Sequence, residues 1–219
     1  LESLRKISVQ NFIFASSSSV YGGSKILPFK EDQLVDKPIS LYAATKKSNE
    51  LLAYSYSHLY NLPTIGLRFF TVYGPWGRPD MAPYIFLKSM LSNKTIKIFN
   101  YGKMRRDFTY IEDVIEGLIR CCFKPVLSNK PDSYLEKKAP FKVFNIGSGK
   151  SIELMDFIKI LENKLGFEAI KEFLPLQKGD VIETFADTSE LKKWINFSPE
   201  TNLEKGLDQF IKWFKIYHF

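Results

Sequence analysis

Short, unbroken apolar runs that stop at hydroxyls or glycines are what most constrain this chain. Phe12-Ile13-Phe14-Ala15 runs into the serines Ser16 to Ser19, Pro63 to Phe70 runs into Thr71, and Phe141 to Ile146 runs into Gly147-Ser148-Gly149. A strand that is apolar on both sides of its pleat must be covered on both faces, as happens in parallel sheets flanked by helices. The intervening segments supply such helices. Ser40 is a ready N-cap for a helix to about Tyr60, and another helix starts near Ile111 with Glu112 and Asp113 in its first turn. Acidic side chains there meet the positive end of the helix dipole. Strands alternating with helices predict an α/β fold. In open sheets of this kind ligands bind beyond the carboxyl ends of the strands, so the serine run stands where chemistry is expected.

The rest of the pattern is consistent with that class. A helix is expected over 82–92, a short strand over Thr95 to Phe99, and a helix over 152–165 capped by Ser151 with Glu153 near its positive end. Leu191 to Ile195 and an aromatic helix from Leu203 to Tyr217 close the chain; its rings, Trp194, Trp213, Phe214, Tyr217 and Phe219, read as packing or interface. Thr71 to Pro79 reads as a turn-rich loop, and residues 125–140, rich in Pro, Ser, Asn and Lys, as linker-like. Leu1 to Lys6 reads as the tail of a helix, which gives a chain entered mid-domain.

Composition excludes several classes. With 219 residues and 45% hydrophobic content there is ample material for a packed core. No apolar run approaches the roughly 20 residues of a membrane span. Cys121 and Cys122 are neighbours, a geometry that rarely bridges, and neither C-x-x-C nor a histidine cluster occurs. The expectation is no disulfide, no metal and a reducing cytoplasm; His58 and His218 lack companions at ligand spacing. The net charge is +7, but the basic doublets Lys46-Lys47, Arg105-Arg106, Lys137-Lys138 and Lys192-Lys193 are scattered. That argues against nucleic acid and suits either an anionic small substrate or an ordinary basic surface.

The chemistry-bearing groups are Tyr42 and Lys46, which follow the serine run. On a helix, residues i and i+4 share a face with β-carbons roughly 5–6 Å apart. An ammonium so placed favours a phenolate, which otherwise forms only near pH 10. A hydroxyl, a phenol and an ammonium together are suited to taking a proton from an alcohol.

Ser16-Ser17-Ser18-Ser19-Val20-Tyr21-Gly22, Tyr42-x-x-x-Lys46 and Arg68-Phe69-Phe70-Thr71-Val72-Tyr73-Gly74-Pro75 together resemble the extended short-chain dehydrogenase/reductase family, specifically its nucleotide-sugar epimerases. Arg105-Arg106-Asp107-Phe108-Thr109-Tyr110-Ile111-Glu112-Asp113, Asn145-Ile146-Gly147 and Gly179-Asp180-Val181 extend the likeness to the end of the chain. Leu41 to Glu50 and Gly74 to Met81 are most similar to UDP-glucuronate 4-epimerases. The resemblance implies a Rossmann-like doubly wound sheet over 1–75. It places a smaller sugar-nucleotide-binding region over 76–219, with segments returning to the sheet. It also implies transient oxidation at C4 of a UDP-sugar with NAD as cofactor. Tyr42 would be the base, Lys46 would hold the nicotinamide ribose, and Ser17 would relay the proton. Ser16 and Phe70, at strand ends, would lie beside the nicotinamide.

Related enzymes narrow the reaction. Dehydratases of the family carry Asp and Glu where Ser18 and Ser19 stand, and decarboxylases carry Glu at the Ser19 position. Neutral hydroxyls cannot serve as that acid and base, whereas Ser17, Ser18, Ser19 and Thr71 can donate to a sugar carboxylate. Galactose-type epimerases usually have Asn at the Thr71 position, which favours UDP-glucuronate over a UDP-hexose. By resemblance Arg78 steadies that region, Arg106 meets the diphosphate, Asp180 the uridine ribose, and Phe99 packs near uracil. Gln177 departs from relatives that have Arg there. Each of these has a plainer alternative: Arg78 pinning its own loop, Arg106 a surface doublet, Asp180 a turn residue, Phe99 core.

No G-x-G-x-x-G or G-x-x-G-x-x-G occurs. The family places that glycine turn under the cofactor's pyrophosphate. The expectation is therefore that this chain is part of a working epimerase, the portion before it being on the order of 100 residues. The alternative is a truncated, non-catalytic remnant that keeps sugar-nucleotide binding. The resemblance further implies a homodimer through the Tyr42 helix and a role in surface-polysaccharide precursor synthesis.

Overall fold

In chain order the elements begin with β1 (Phe12–Ser17), α1 (Leu41–Tyr60), β2 (Thr64–Phe69), β3 (Thr71–Tyr73), α2 (Ala82–Leu91), β4 (Ile96–Ile98), β5 (Arg105–Arg106), β6 (Phe108–Tyr110) and α3 (Ile111–Cys122). They continue with β7 (Phe141–Ile146), β8 (Ile152–Glu153), α4 (Leu154–Leu165), β9 (Lys171–Phe173), β10 (Glu183–Thr184), α5 (Ser189–Ile195) and α6 (Leu203–His218). The structure is a computed structural model and describes residues 1–127 and 138–218. Most of the linker-like stretch, Lys137 and Phe219 lie outside the described residues. The chain divides into two units: Leu1–Phe69, Ile115–Ile146 and Asp187–Ser198 form the first, and Phe70–Val114, Gly147–Ala186 and Pro199–Phe219 the second.

In the first unit the apolar runs pair in parallel in the order β1-β2-β7, with Phe12 opposite Thr64 and Thr64 opposite Phe141. Ile65, Leu67, Phe144 and Ile146 are buried in this sheet. Gly66 is required by packing, since a Cβ there would come within 2.7 Å of the Phe14 ring. Helix α1 presents Ala43, Glu50, Ala53 and Ser57 to the interior. Small residues on that face let the helix approach the sheet closely, and Glu50 is the charged exception. Ser40 caps α1 as expected, its Oγ accepting from Ala43 N at 3.1 Å. At the end of α3, Cys121 is buried and Cys122 exposed, and burial pushes the Cys121 thiol up to about 12.

The second unit is built from small sheets, β3-β6, β4-β9 and β10-β5-β8, around an apolar core. Phe157 and Leu161 of α4 meet Leu207, Phe210 and Phe214 of α6 in that core, together with Leu87 of α2. Gly206 lets α6 pass over Tyr73, whose Oη would lie 2.1 Å from an added Cβ.

Two local expectations are corrected. The segment expected as loop from Thr71 begins with a strand, because Thr71, Val72 and Tyr73 pair with Phe108, Thr109 and Tyr110. Ser151 does not cap a helix; its Oγ engages Arg105 and Glu183, Ile152 and Glu153 pair with β5, and α4 starts only at Leu154. Leu1 to Lys6 forms a short helical turn ahead of β1, in keeping with the expectation: Leu4–Lys6 is 3-10, and Arg5 N reaches Leu1 O at 3.2 Å.

Candidate functional site

The first cluster lies in the first unit, where β1 ends. Ser17 Oγ accepts from Ser19 N at 3.1 Å and starts the 3-10 turn Ser18–Tyr21. Gly22 closes it with φ 59°; a side chain there would meet the Lys37 carbonyl at 2.5 Å. Ser19 Oγ is buried with no hydrogen-bond partner among the described residues. Tyr42 sits in the first turn of α1 and is 48% exposed, so its phenol is open to a ligand. Lys46 Nζ lies 5.7 Å from the Tyr42 ring centroid and donates to Ala15 O at 3.0 Å. Because Phe12 N reaches Pro63 O, alternate residues of β1 face β2, and Ala15 presents its carbonyl to the opposite edge. Lys46 is thereby anchored beside the serine turn. Ser16 is buried, and its hydroxyl is committed to Glu50 Oε1 at 2.7 Å.

Beneath this turn runs a buried polar network that the sequence reading assigned no role. Glu50 accepts from Arg68 Nε at 2.8 Å and Nη2 at 3.0 Å, and from Lys47 Nζ at 3.2 Å. Arg68 Nη1 donates to Tyr21 Oη at 2.9 Å, and Tyr21 donates to Asn145 Oδ1 at 2.7 Å. Asn145, fully buried, in turn donates to the Phe29 carbonyl at 2.8 Å and to the Asp187 carbonyl at 3.2 Å. Burial alone would raise the Glu50 carboxyl, but Arg68, Ser16 and Lys47 outweigh it and hold it below the usual carboxylate range. Burial pushes the Tyr21 phenol up to about 12 despite Arg68, so it remains a donor.

The second cluster lies in the second unit, at a cavity of about 660 Å³. Thr71, Phe99, Arg106 and Asp180 all line it, as do Met81 and Phe86, which sequence reasoning missed. Arg106 Nη2 donates to Asp180 Oδ1 at 2.8 Å, so the residues expected at two parts of one ligand are paired with each other. Burial pulls the Arg106 guanidinium below its ordinary value, and Asp180 only partly offsets this. Phe99 also packs against the unit's core. Arg78 forks onto both oxygens of Asp80, at 3.1 and 2.5 Å, and Asp80 lines the cavity. Phe70 is buried at the start of this unit. Asp107, fully buried, accepts from Thr109 Oγ1, Ser148 N and Oγ, Gly149 N and Ala186 N, which fixes the segment after β7.

The profile of the NAD dependent epimerase/dehydratase family matches residues 1–147. The chain belongs to that family. Among its members, Protein CapI of Staphylococcus aureus is 50% identical, covering 100% of this chain and 67% of its own length. A probable UDP-glucuronate 4-epimerase of Rhizobium meliloti is 44% identical over 98% of this chain and 64% of its own. The crystal structure of UDP-glucuronic acid 4-epimerase from Bacillus cereus, in complex with UDP-glucuronic acid and NAD, superposes with a TM-score of 0.87 at 35% identity. That match covers 99% of this chain and 65% of the other. The chain thus spans about two thirds, or slightly less, of the family members it matches.

Proposed function

We propose that this chain carries the proton-handling and sugar-nucleotide-binding residues of an NAD-dependent 4-epimerase that interconverts UDP-glucuronate and UDP-galacturonate. The observation that carries the reading is the anchored Tyr42–Lys46 pair beside a turn of neutral hydroxyls. The names of the relatives from Rhizobium meliloti and Bacillus cereus support it.

NAD, when bound, supplies a reversible hydride acceptor at C4 of the sugar. The residues present fit its nicotinamide end: an exposed phenol, an ammonium at the strand edge and the orphaned Ser19 hydroxyl. Tyr42 takes the proton of the 4-hydroxyl, and Ser17 relays it. Lys46 keeps a positive charge next to the phenol and stays fixed because Ala15 O holds it. In the first unit the hydroxyls of Ser17, Ser18 and Ser19 are donors for the sugar carboxylate; in the second unit Thr71 lines the cavity and Arg78 steadies its own loop through Asp80. As no carboxylic acid stands among the serines, elimination and decarboxylation lack an acid–base pair. In the second unit Arg106 meets the diphosphate and Asp180 the ribose, and their mutual hydrogen bond orients the two side chains within one cavity. Phe99 offers an apolar wall to the base. Ser16 and Phe70 contribute through their positions at strand ends.

The same reading makes the first unit the cofactor side and the cavity of the second unit the nucleotide side. It includes a homodimer, supported by the exposed Leu51, Leu52 and Leu59 of α1, and a cytoplasmic place in polysaccharide precursor synthesis. Among the described residues no helix is long and apolar enough to cross a membrane. The test uses the protein expressed from its complete reading frame. Chromatography of products from both UDP-uronates and both UDP-hexoses should show interconversion of the uronates. Preferential turnover of UDP-glucose would remove the uronate assignment. Tyr42→Phe should abolish turnover and keep UDP binding; retained activity would remove Tyr42 from its role.

A further inference from the structure

We propose that the buried Glu50–Arg68 pair is a positioning device. It fixes the register of α1 on β1 and holds both ends of the serine turn. The inference rests on the roles of Tyr42 and Ser17 given above.

The geometry is specific. Lys46 and Glu50, one helical turn apart, hold consecutive residues of β1: Lys46 takes Ala15 O, and Glu50 takes Ser16 Oγ. Sliding α1 by one residue would move it about 1.5 Å and break both bonds. Tyr42 lies on the same helical face, one turn before Lys46. From the same ion pair a second arm, Arg68 Nη1, reaches Tyr21, the last residue of the turn. Ser17, Ser18 and Ser19 therefore lie between two residues, Ser16 and Tyr21, that answer to one guanidinium and one carboxylate. Four donors converge on Glu50, so an amide in its place would turn an N–H₂ group onto other donors. Both side chains are only 3% exposed. Buried ion pairs seldom stabilise more than well-packed apolar residues would. Setting the geometry of the turn is the use that this arrangement serves better than an apolar pair.

The experiment uses Tyr21→Phe and Glu50→Gln in the protein expressed from its complete reading frame, with UDP-glucuronate kinetics, thermal melting and amide hydrogen exchange without nucleotide. Tyr21→Phe keeps the ring that stacks on Phe29 at 4.5 Å, so it decides the matter if Glu50→Gln does not fold. The expected result is kcat lower by about 10-fold for Tyr21→Phe and about 100-fold for Glu50→Gln, with KM within about two-fold. Exchange should quicken over residues 16–22 and the first turns of α1 and nowhere else. Wild-type kcat in a folded variant would overturn the proposal, as would kcat loss that merely tracks a lower melting temperature with exchange faster throughout. If the unmodified protein turns over no UDP-sugar, the assigned reaction fails separately. The exchange pattern then judges the bracket alone: local loss of protection supports it, unchanged protection sinks it.

Discussion

Glu50 in the first unit and Asp107 in the second are both buried carboxylates, 3% and 0% exposed, held in opposite ways. Glu50 faces a full positive charge at 2.8 Å. Asp107 is met by five neutral donors, three of them main-chain N–H groups. Burial works against the anion in both, yet the net effect differs in sign: the Glu50 carboxyl is held below its ordinary value and the Asp107 carboxyl is pushed above it. A guanidinium cancels desolvation where dipoles do not. What the dipoles give instead is shape, since Asp107 gathers the backbone of Ser148, Gly149 and Ala186 onto one side chain. Gly147 is needed for that approach, as a Cβ would lie 2.7 Å from Asp107 Oδ2.

The comparison is most readily broken at the cation. Arg68→Met leaves Glu50 buried without its guanidinium, with only the half-buried Lys47 as a remaining cation, and should cost about 3–5 kcal/mol, most of it recovered when Glu50→Leu is added. Urea unfolding of both single variants and the double variant measures this; additive losses would show that the charges are not coupled. Asp107→Asn should cost less, about 2–3 kcal/mol, because the amide turns donors onto the N–H groups of Gly149 and Ala186 without stranding a charge. A larger loss than that of Arg68→Met would reverse the ranking.

The pH dependence follows from the signs. Glu50 adds stability above its unfolded value near 4.5, and that stability is lost as pH falls through the lower folded value. For Asp107 the folded value is raised, so its contribution is fullest below 3.8 and declines as pH rises through the folded value. On acidification, urea midpoints should fall less steeply than wild type for Glu50→Gln and more steeply for Asp107→Asn. The smallest effect concerns neither carboxylate: Ser40→Ala, which removes the α1 cap, should cost about 1 kcal/mol by the same urea measurement.

Much of the parallel sheet was legible because its strands are unbroken apolar runs, and α1 because Ser40 announces it. Tyr42, Lys46 and the serines could be named from spacing and resemblance. What escaped were features set by distant partners. The β3 strand is short and is stabilised only by β6, so its Thr-Val-Tyr sequence looked like the start of a loop. Ser151 has the chemistry of a cap, but Arg105 and Glu183 claim its hydroxyl. The network under the turn left a signal that went unused. Arg68 interrupts an apolar strand, and Glu50 falls on the same helical face as Ala43, Ala53 and Ser57. A charge inside an apolar pattern asks for a partner, and each supplies the other's.

The vicinal cysteines at the end of α3 give the first unit a built-in clock. Cys122 faces solvent, whereas Cys121 is enclosed and its thiol deprotonates only near 12. A disulfide dye at neutral pH should therefore react at once with one sulfur and with the second only when the region around α3 opens. Two-phase labelling would time that opening residue-specifically, with no tag, no engineered probe and no assumption about what the protein binds.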